Sequence, residues 1–215
     1  MIKNLFPVSL FEERGIDTYD KYKETYPVWN KKLDQVIDEL RGTDSPYLSQ
    51  KAPLGSKKPN LLYDHPELKE FKEFIQRLCL NYAMDTKWTA LQENHRYSIE
   101  LTASWVNILN KGEFQHSHVH PDSQISGVYF HKCEGDEGQL VLYNPVREIR
   151  MGNFPENLYT CGGEYPVPLE PNMVICFPSW LEHKTMPNLT DKERITVAFN
   201  ATIIEVKPEQ DMSLF

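Results

Sequence analysis

From Trp88 onward the chain breaks into short runs of β-branched and aromatic residues, each bounded by Gly, Pro, Asn or Asp. Parallel strands would need helices between them, and several short runs with turn residues as punctuation fit that less well than a mainly β unit: a jelly roll, or cupin-like double-stranded β-helix. Strands are expected over 97–109, 124–131, 139–143, 173–177 and 194–204.

The first 90 residues follow a different period. Val28, Leu33, Val36, Ile37 and Leu40 recur at helical spacing, with charged residues between them and Gly42 as a stop, which predicts a helix over 27–40. A second helix is expected from Pro66, through Leu68, Phe71, Phe74, Ile75, Leu78 and Tyr82, its aromatic stripe serving as core packing. Between them, 43–60 reads as a loop whose Lys51, Lys57 and Lys58 could approach an anion. The expected organisation is a helical capping region at 1–90, flanking a β-helix core at 91–206 with a tail at 207–215, all within one domain.

The formal net charge of -8 argues against broad capture of a nucleic-acid backbone, which needs clustered Lys and Arg. Cys79, Cys133, Cys161 and Cys176 lie far apart with no Cys-x-x-Cys pair, so they read as reduced, buried thiols. The start, Met-Ile-Lys-Asn-Leu-Phe-Pro, lacks a secretory apolar segment, and no stretch approaches the roughly 20 apolar residues of a membrane span. A cytoplasmic protein is expected, with a homodimer left open.

The chemistry concentrates in His116-Ser117-His118-Val119-His120-Pro121, which holds 3 of the 7 histidines. Alternate residues of an extended chain point the same way, so these imidazoles can converge on one metal ion. His183 follows an apolar run and a Pro-Ser turn. Eleven residues later, Arg194-Ile195-Thr196-Val197-Ala198-Phe199-Asn200 places Arg194, Thr196, Ala198 and Asn200 on one strand face. A buried guanidinium needs an anion, and its planar fork matches a carboxylate, with the Thr196 hydroxyl adding a bond. Trp105 and Asn107 share a face of the first long strand; Asn107 could bond a ligand, while Trp105 reads as core.

Four blocks, 103–107 (Ala-Ser-Trp-Val-Asn), 118–129, 177–183 (Phe-Pro-Ser-Trp-Leu-Glu-His) and 194–200, make the chain resemble the 2-oxoglutarate/Fe(II)-dependent oxygenases. The resemblance is to a branch with a His-x-His-Pro motif common in phage and marine bacterial sequences. It implies a dioxygenase using Fe(II), 2-oxoglutarate and O₂, which hydroxylates a small-molecule, peptide or protein substrate and forms succinate and CO₂. A phage-encoded member would work in the host cytoplasm. His118 and His183 match the iron-site histidines, and Arg194 with Thr196 matches the group that grips the distal carboxylate of 2-oxoglutarate. Tyr129 falls in the region from which relatives offer a tyrosine to that carboxylate. Where the superfamily usually has His-x-Asp or His-x-Glu, this chain has His120; Asp122 is the rival third ligand, and His116 is expected to lie behind the ligands or toward substrate. A cupin-like metal enzyme without 2-oxoglutarate, or a non-catalytic jelly-roll binding protein, would share the histidines but would not need the Arg194 clamp.

Overall fold

In the computed structural model, which describes residues 8–14, 16, 22–48, 59–86, 96–133, 137–146 and 163–206, the periodic segment before Gly42 winds into α1 (Tyr26–Leu40). It buries Trp29, Leu33, Val36, Ile37 and Leu40 on one stripe. Gly42, at φ +72°, turns the chain out of the helix in the left-handed region where a side chain is disfavoured. After a single turn, α2 (Leu61–Asp64), Pro66 opens a short 3-10 segment that runs into α3 (Lys69–Asp85). Phe71, Phe74, Ile75, Leu78 and Tyr82 are all buried, as core packing requires. Lys51, Lys57, Lys58, Cys161 and the 207–215 tail lie outside the described residues. Cys79, Cys133 and Cys176 are buried and free.

The β unit consists of β1 (Phe11–Glu13), β2 (Arg96–Leu109), β3 (Ile125–Lys132), β4 (Leu140–Tyr143), β5 (Glu164–Val167), β6 (Val174–Pro178), β7 (His183–Thr185) and β8 (Arg194–Val206). Two antiparallel sheets form, one ordered β1-β6-β3-β8-β2 and the other β5-β4-β7. Together they make a double-stranded β-helix. The segment before β3 extends the smaller sheet beside β7: His118 and His183 exchange backbone hydrogen bonds of 3.0 Å each, and Thr185 N–H donates to Gln115 O at 3.1 Å. β1, β5 and β7, at three or four residues, are too short to give a sequence period of their own.

The larger sheet is covered on both faces. Its outer face meets the helices in one apolar cluster, where Trp29 stacks on Phe71 with ring centroids 4.6 Å apart and Tyr129 meets Phe71 edge-on at 5.0 Å. Its inner face joins the smaller sheet through Phe130, Leu140, Leu142, Ile175 and Phe177. β8 is accordingly buried without interruption from Arg194 to Ala201. The exposed edge of β2 is blocked by the loop chain: Val106 N–H donates to Tyr47 O at 2.8 Å and Ser104 N–H to Pro59 O at 3.0 Å. No described helix is long and apolar enough to cross a membrane.

Gly127 marks a close approach within this sheet. It lies opposite Phe199 on β8, and a Cβ there would meet the Phe199 ring at 2.2 Å and the Ile175 carbonyl oxygen at 2.5 Å. The ring is a side chain and can move; the backbone of the neighbouring strand is held by its ladder. Gly127→Ala should cost about 1–3 kcal/mol, the usual range for overpacking, seen as a lower denaturation midpoint in urea, and an unchanged midpoint would contradict the packing.

Candidate metal and co-substrate site

The strand pairing brings the three motif histidines together. One donor atom each from His118, His120 and His183 lies within 4.8 Å of the others, and the Nε2 atoms of His120 and His183 are 3.2 Å apart. Two nitrogens each about 2.1 Å from one first-row ion and at right angles would sit about 3.0 Å apart, so the spacing suits shared coordination. The tautomers agree with this. His118 Nδ1 lies 2.7 Å from the carbonyl of His116 and His183 Nδ1 2.8 Å from that of Leu181. A carbonyl only accepts, so each Nδ1 carries the proton and each Nε2 keeps its lone pair for a metal. The residues therefore fit a divalent ion bound by neutral imidazoles.

Burial prepares His183 for that role. With 4% of its surface exposed it is pushed down to about 4, first by loss of hydration and then by the neighbouring His118, which opposes a second positive charge. The unfolded chain takes up this proton near the ordinary value of 6.5, while the folded chain refuses it until about 4. Protons therefore favour unfolding, and the metal-free protein should lose about 3 kcal/mol of stability as pH falls through that window. Urea denaturation of metal-free protein from pH 7 to pH 4 checks this: His183→Gln should lack that part of the decline, and parallel curves would refute it.

Asp122 does not join the cluster. The chain ceases to be extended at Pro121, and Asp122 adopts φ +65° in a turn, which breaks the alternation that would have placed it beside His120. His116 is exposed, packs edge-on against Phe114 at 4.8 Å, and serves the site through its carbonyl.

Arg194, Thr196 and Asn107 line the same cavity between the sheets as the three histidines. Arg194 is 3% exposed, and burial pushes it down to about 10, still charged at neutral pH, with Cys133 and Glu137 nearby opposing the shift. It donates through Nη1 to the Gly138 carbonyl, while its buried Nε has no hydrogen-bond partner among the described residues. A charged donor left unfilled in a cavity favours an anionic ligand. Asn107 stands opposite Thr196, its Nδ2 3.5 Å from Thr196 Oγ1.

Tyr129 is placed elsewhere. Pairing of Val128 with Ala198 and Phe130 with Thr196 turns the even positions of β3 inward, so Phe130 lines the cavity and Tyr129 faces the helices. There its hydroxyl bonds Asn172 at 3.1 Å and Asn30 at 3.3 Å. Trp105, read as core, also lines the cavity, its ring 5.5 Å from that of His120. Gln115 and Thr185, which carry no sequence signal of their own, complete the wall near the histidines.

The family model described as "Putative 2OG-Fe(II) oxygenase" matches residues 103–200, which span every residue of this site. That match takes in 98 of the chain's 215 residues, just under half of it. Among solved structures, the non-haem α-ketoglutarate-dependent epimerase SnoN from nogalamycin biosynthesis is similar to it at a TM-score of 0.57, with 11% identity over 90% of this chain and 76% of its own. HygX from Streptomyces hygroscopicus, with nickel and 2-oxoglutarate bound, gives 0.54, with 10% identity over 91% and 82%. At such identities these two show a shared fold and nothing finer. A 2OG-Fe(II) oxygenase family oxidoreductase from Burkholderia pseudomallei aligns at 16% identity and a TM-score of 0.39 over 51% of this chain and 46% of its own, so this chain spans about half of that protein. No curated protein matches the sequence.

Proposed function

We propose that this chain is a 2-oxoglutarate- and Fe(II)-dependent dioxygenase that hydroxylates a C–H bond of a small-molecule, peptide or protein substrate. The observation that carries the reading is the pairing, within one cavity, of three converging imidazoles with a buried guanidinium whose Nε is unfilled. Bound together, iron, 2-oxoglutarate and O₂ supply the oxidising power, one oxygen atom entering the substrate and the other the succinate formed with loss of CO₂.

The protein's own residues bind, orient and shield. His118, His120 and His183 would hold the ion, with the Nδ1 protons of His118 and His183 anchored on backbone carbonyls so that neither ring can turn away. All three are neutral donors, so the ion's positive charge is left for an anionic co-substrate to balance. Arg194 and Thr196 would grip the distal carboxylate of 2-oxoglutarate, with Asn107 beside them. Val128, Phe130, Leu140, Phe177 and Ala198 give the cavity apolar walls that exclude water and strengthen these charge-assisted bonds. Reduced cytoplasm, where ferrous iron persists, is the setting that suits the chemistry.

The test is iron content after anaerobic loading, together with succinate formed from 2-oxoglutarate by the loaded protein. Near-stoichiometric iron and succinate production, stimulated by candidate substrates, are expected. Failure to bind metal would favour an inert jelly roll, and iron binding without 2-oxoglutarate turnover would favour a cupin-like enzyme.

A further inference from the structure

The Asn107 carboxamide is held from one end. Trp105 Nε1 donates to Asn107 Oδ1 at 3.2 Å, and Gln115 Nε2 donates to the same oxygen at 2.8 Å. An indole N–H is a donor and never an acceptor, so the atom it meets must be the carboxamide oxygen. Gln115, facing the same oxygen, must then offer its NH₂. The NH₂ of Asn107 is left pointing the other way, toward Thr196 Oγ1 and the cavity.

We infer that Trp105 and Gln115 are positioning residues that lock the Asn107 amide with its N–H groups facing the cavity, so that the wall beside the metal presents hydrogen-bond donors and selects a carboxylate. The inference rests on the 2-oxoglutarate reading and adds the residues that enforce it. With the amide reversed, an oxygen would face the bound carboxylate and the two acceptors would repel. The lock is also tied to the metal side of the cavity. Gln115 N–H donates to Thr185 Oγ1 at 2.7 Å, two residues beyond His183, and the Trp105 ring lies against His120. Ordering of the histidine strand and orientation of the co-substrate wall thus share two residues, Gln115 through its backbone N–H and its side chain and Trp105 through its ring.

Three substitutions separate polarity from packing. Asn107→Asp keeps an oxygen for Trp105 and Gln115 but replaces the cavity-facing NH₂ by oxygen. Gln115→Glu replaces the second donor by an acceptor, which favours reversal of Asn107. Trp105→Phe keeps most of the ring volume and removes the N–H. Titration calorimetry of 2-oxoglutarate into Mn(II)-loaded protein should show Kd raised about 30-fold or more in Asn107→Asp, about tenfold in Gln115→Glu and several-fold in Trp105→Phe, as expected for unpaired or opposed polar groups in a partly dry site. Manganese content should be unchanged. In iron-loaded protein the KM for 2-oxoglutarate should rise while kcat at saturation changes little. The indole N–H resonance of Trp105 in metal-free protein should stay hydrogen-bonded in Asn107→Asp although affinity is lost, a separation that a packing defect would not give.

Gln115 is only half-buried, so Gln115→Glu tests the lock even if the buried Asn107→Asp folds poorly. Affinity within threefold of wild type in a folded, metal-loaded Gln115→Glu or Asn107→Asp would overturn the lock and leave the proposed function standing. Wild-type protein that takes up metal but does not bind 2-oxoglutarate would overturn both.

Discussion

His183→Ala should fail to retain iron and should form almost no succinate at any concentration of 2-oxoglutarate. The substitution removes the most buried of the three donors, and the two that remain, His118 and His120, are half-buried on one segment. Loss of groups that merely support a ligand already costs about 10–100-fold in metal affinity, so loss of a ligand should exceed about 100-fold. Adding co-substrate should not compensate, because under the proposed function 2-oxoglutarate would react only at a metal that the variant no longer holds. Backbone pairing with His118 does not use the imidazole, so the smaller sheet should persist. The checks are iron content after dialysis, succinate yield across a 2-oxoglutarate titration, and a urea midpoint to show that the variant is folded. Stoichiometric iron in folded His183→Ala would remove His183 from the ligand set.

Arg194→Ala should behave in the opposite way, keeping its iron and losing affinity for 2-oxoglutarate. Arg194 is not among the three clustered donors; it donates to the Gly138 carbonyl, and its Nε has no hydrogen-bond partner among the described residues. Removing a charge-assisted, bidentate contact in a partly dry pocket should cost about 2–5 kcal/mol, or about 30- to several-thousand-fold in affinity. Part of that loss belongs to the anion left without a partner rather than to the bond itself. Turnover should recover as 2-oxoglutarate is raised, and Arg194→Lys, which keeps the charge and loses the fork, should fall between the two. Because Glu137 is buried near Arg194, Arg194→Ala should also lower stability, so the comparison is made on folded, iron-loaded protein. Unchanged apparent affinity would detach Arg194 from co-substrate binding and put the cupin-like alternative ahead.

Those two variants divide the site as the chain divides it. The histidines come from the smaller sheet and its added strand, and the guanidinium from β8 of the larger sheet, so each half can fail separately.

Much of this was legible locally. A strand has a period of two, so Arg194 and Thr196 must share a face, and His118 and His120 must share one as long as the chain stays extended. Helical periods gave α1 and α3 because their apolar stripes are long enough to be read. Alternation relates neighbours to each other without saying which side faces which partner. Tyr129 shows the limit: its period is correct, but pairing of β3 with β8 turns Phe130 into the cavity and leaves Tyr129 among the helices. Asp122 fails for a second reason, since the period stops at the turn after His120, where a local φ of +65° re-aims the chain.

By itself, then, the sequence determined the kind of sheet, the donors available and the faces they share, because those depend on neighbours along one strand. Only the tertiary structure decided that His183 meets His118 across 65 residues, that Gln115 reaches Asn107, and that Arg194 opens into the same cavity. Those meetings depend on the register between strands far apart in the chain, which is fixed by burying apolar groups on two faces at once.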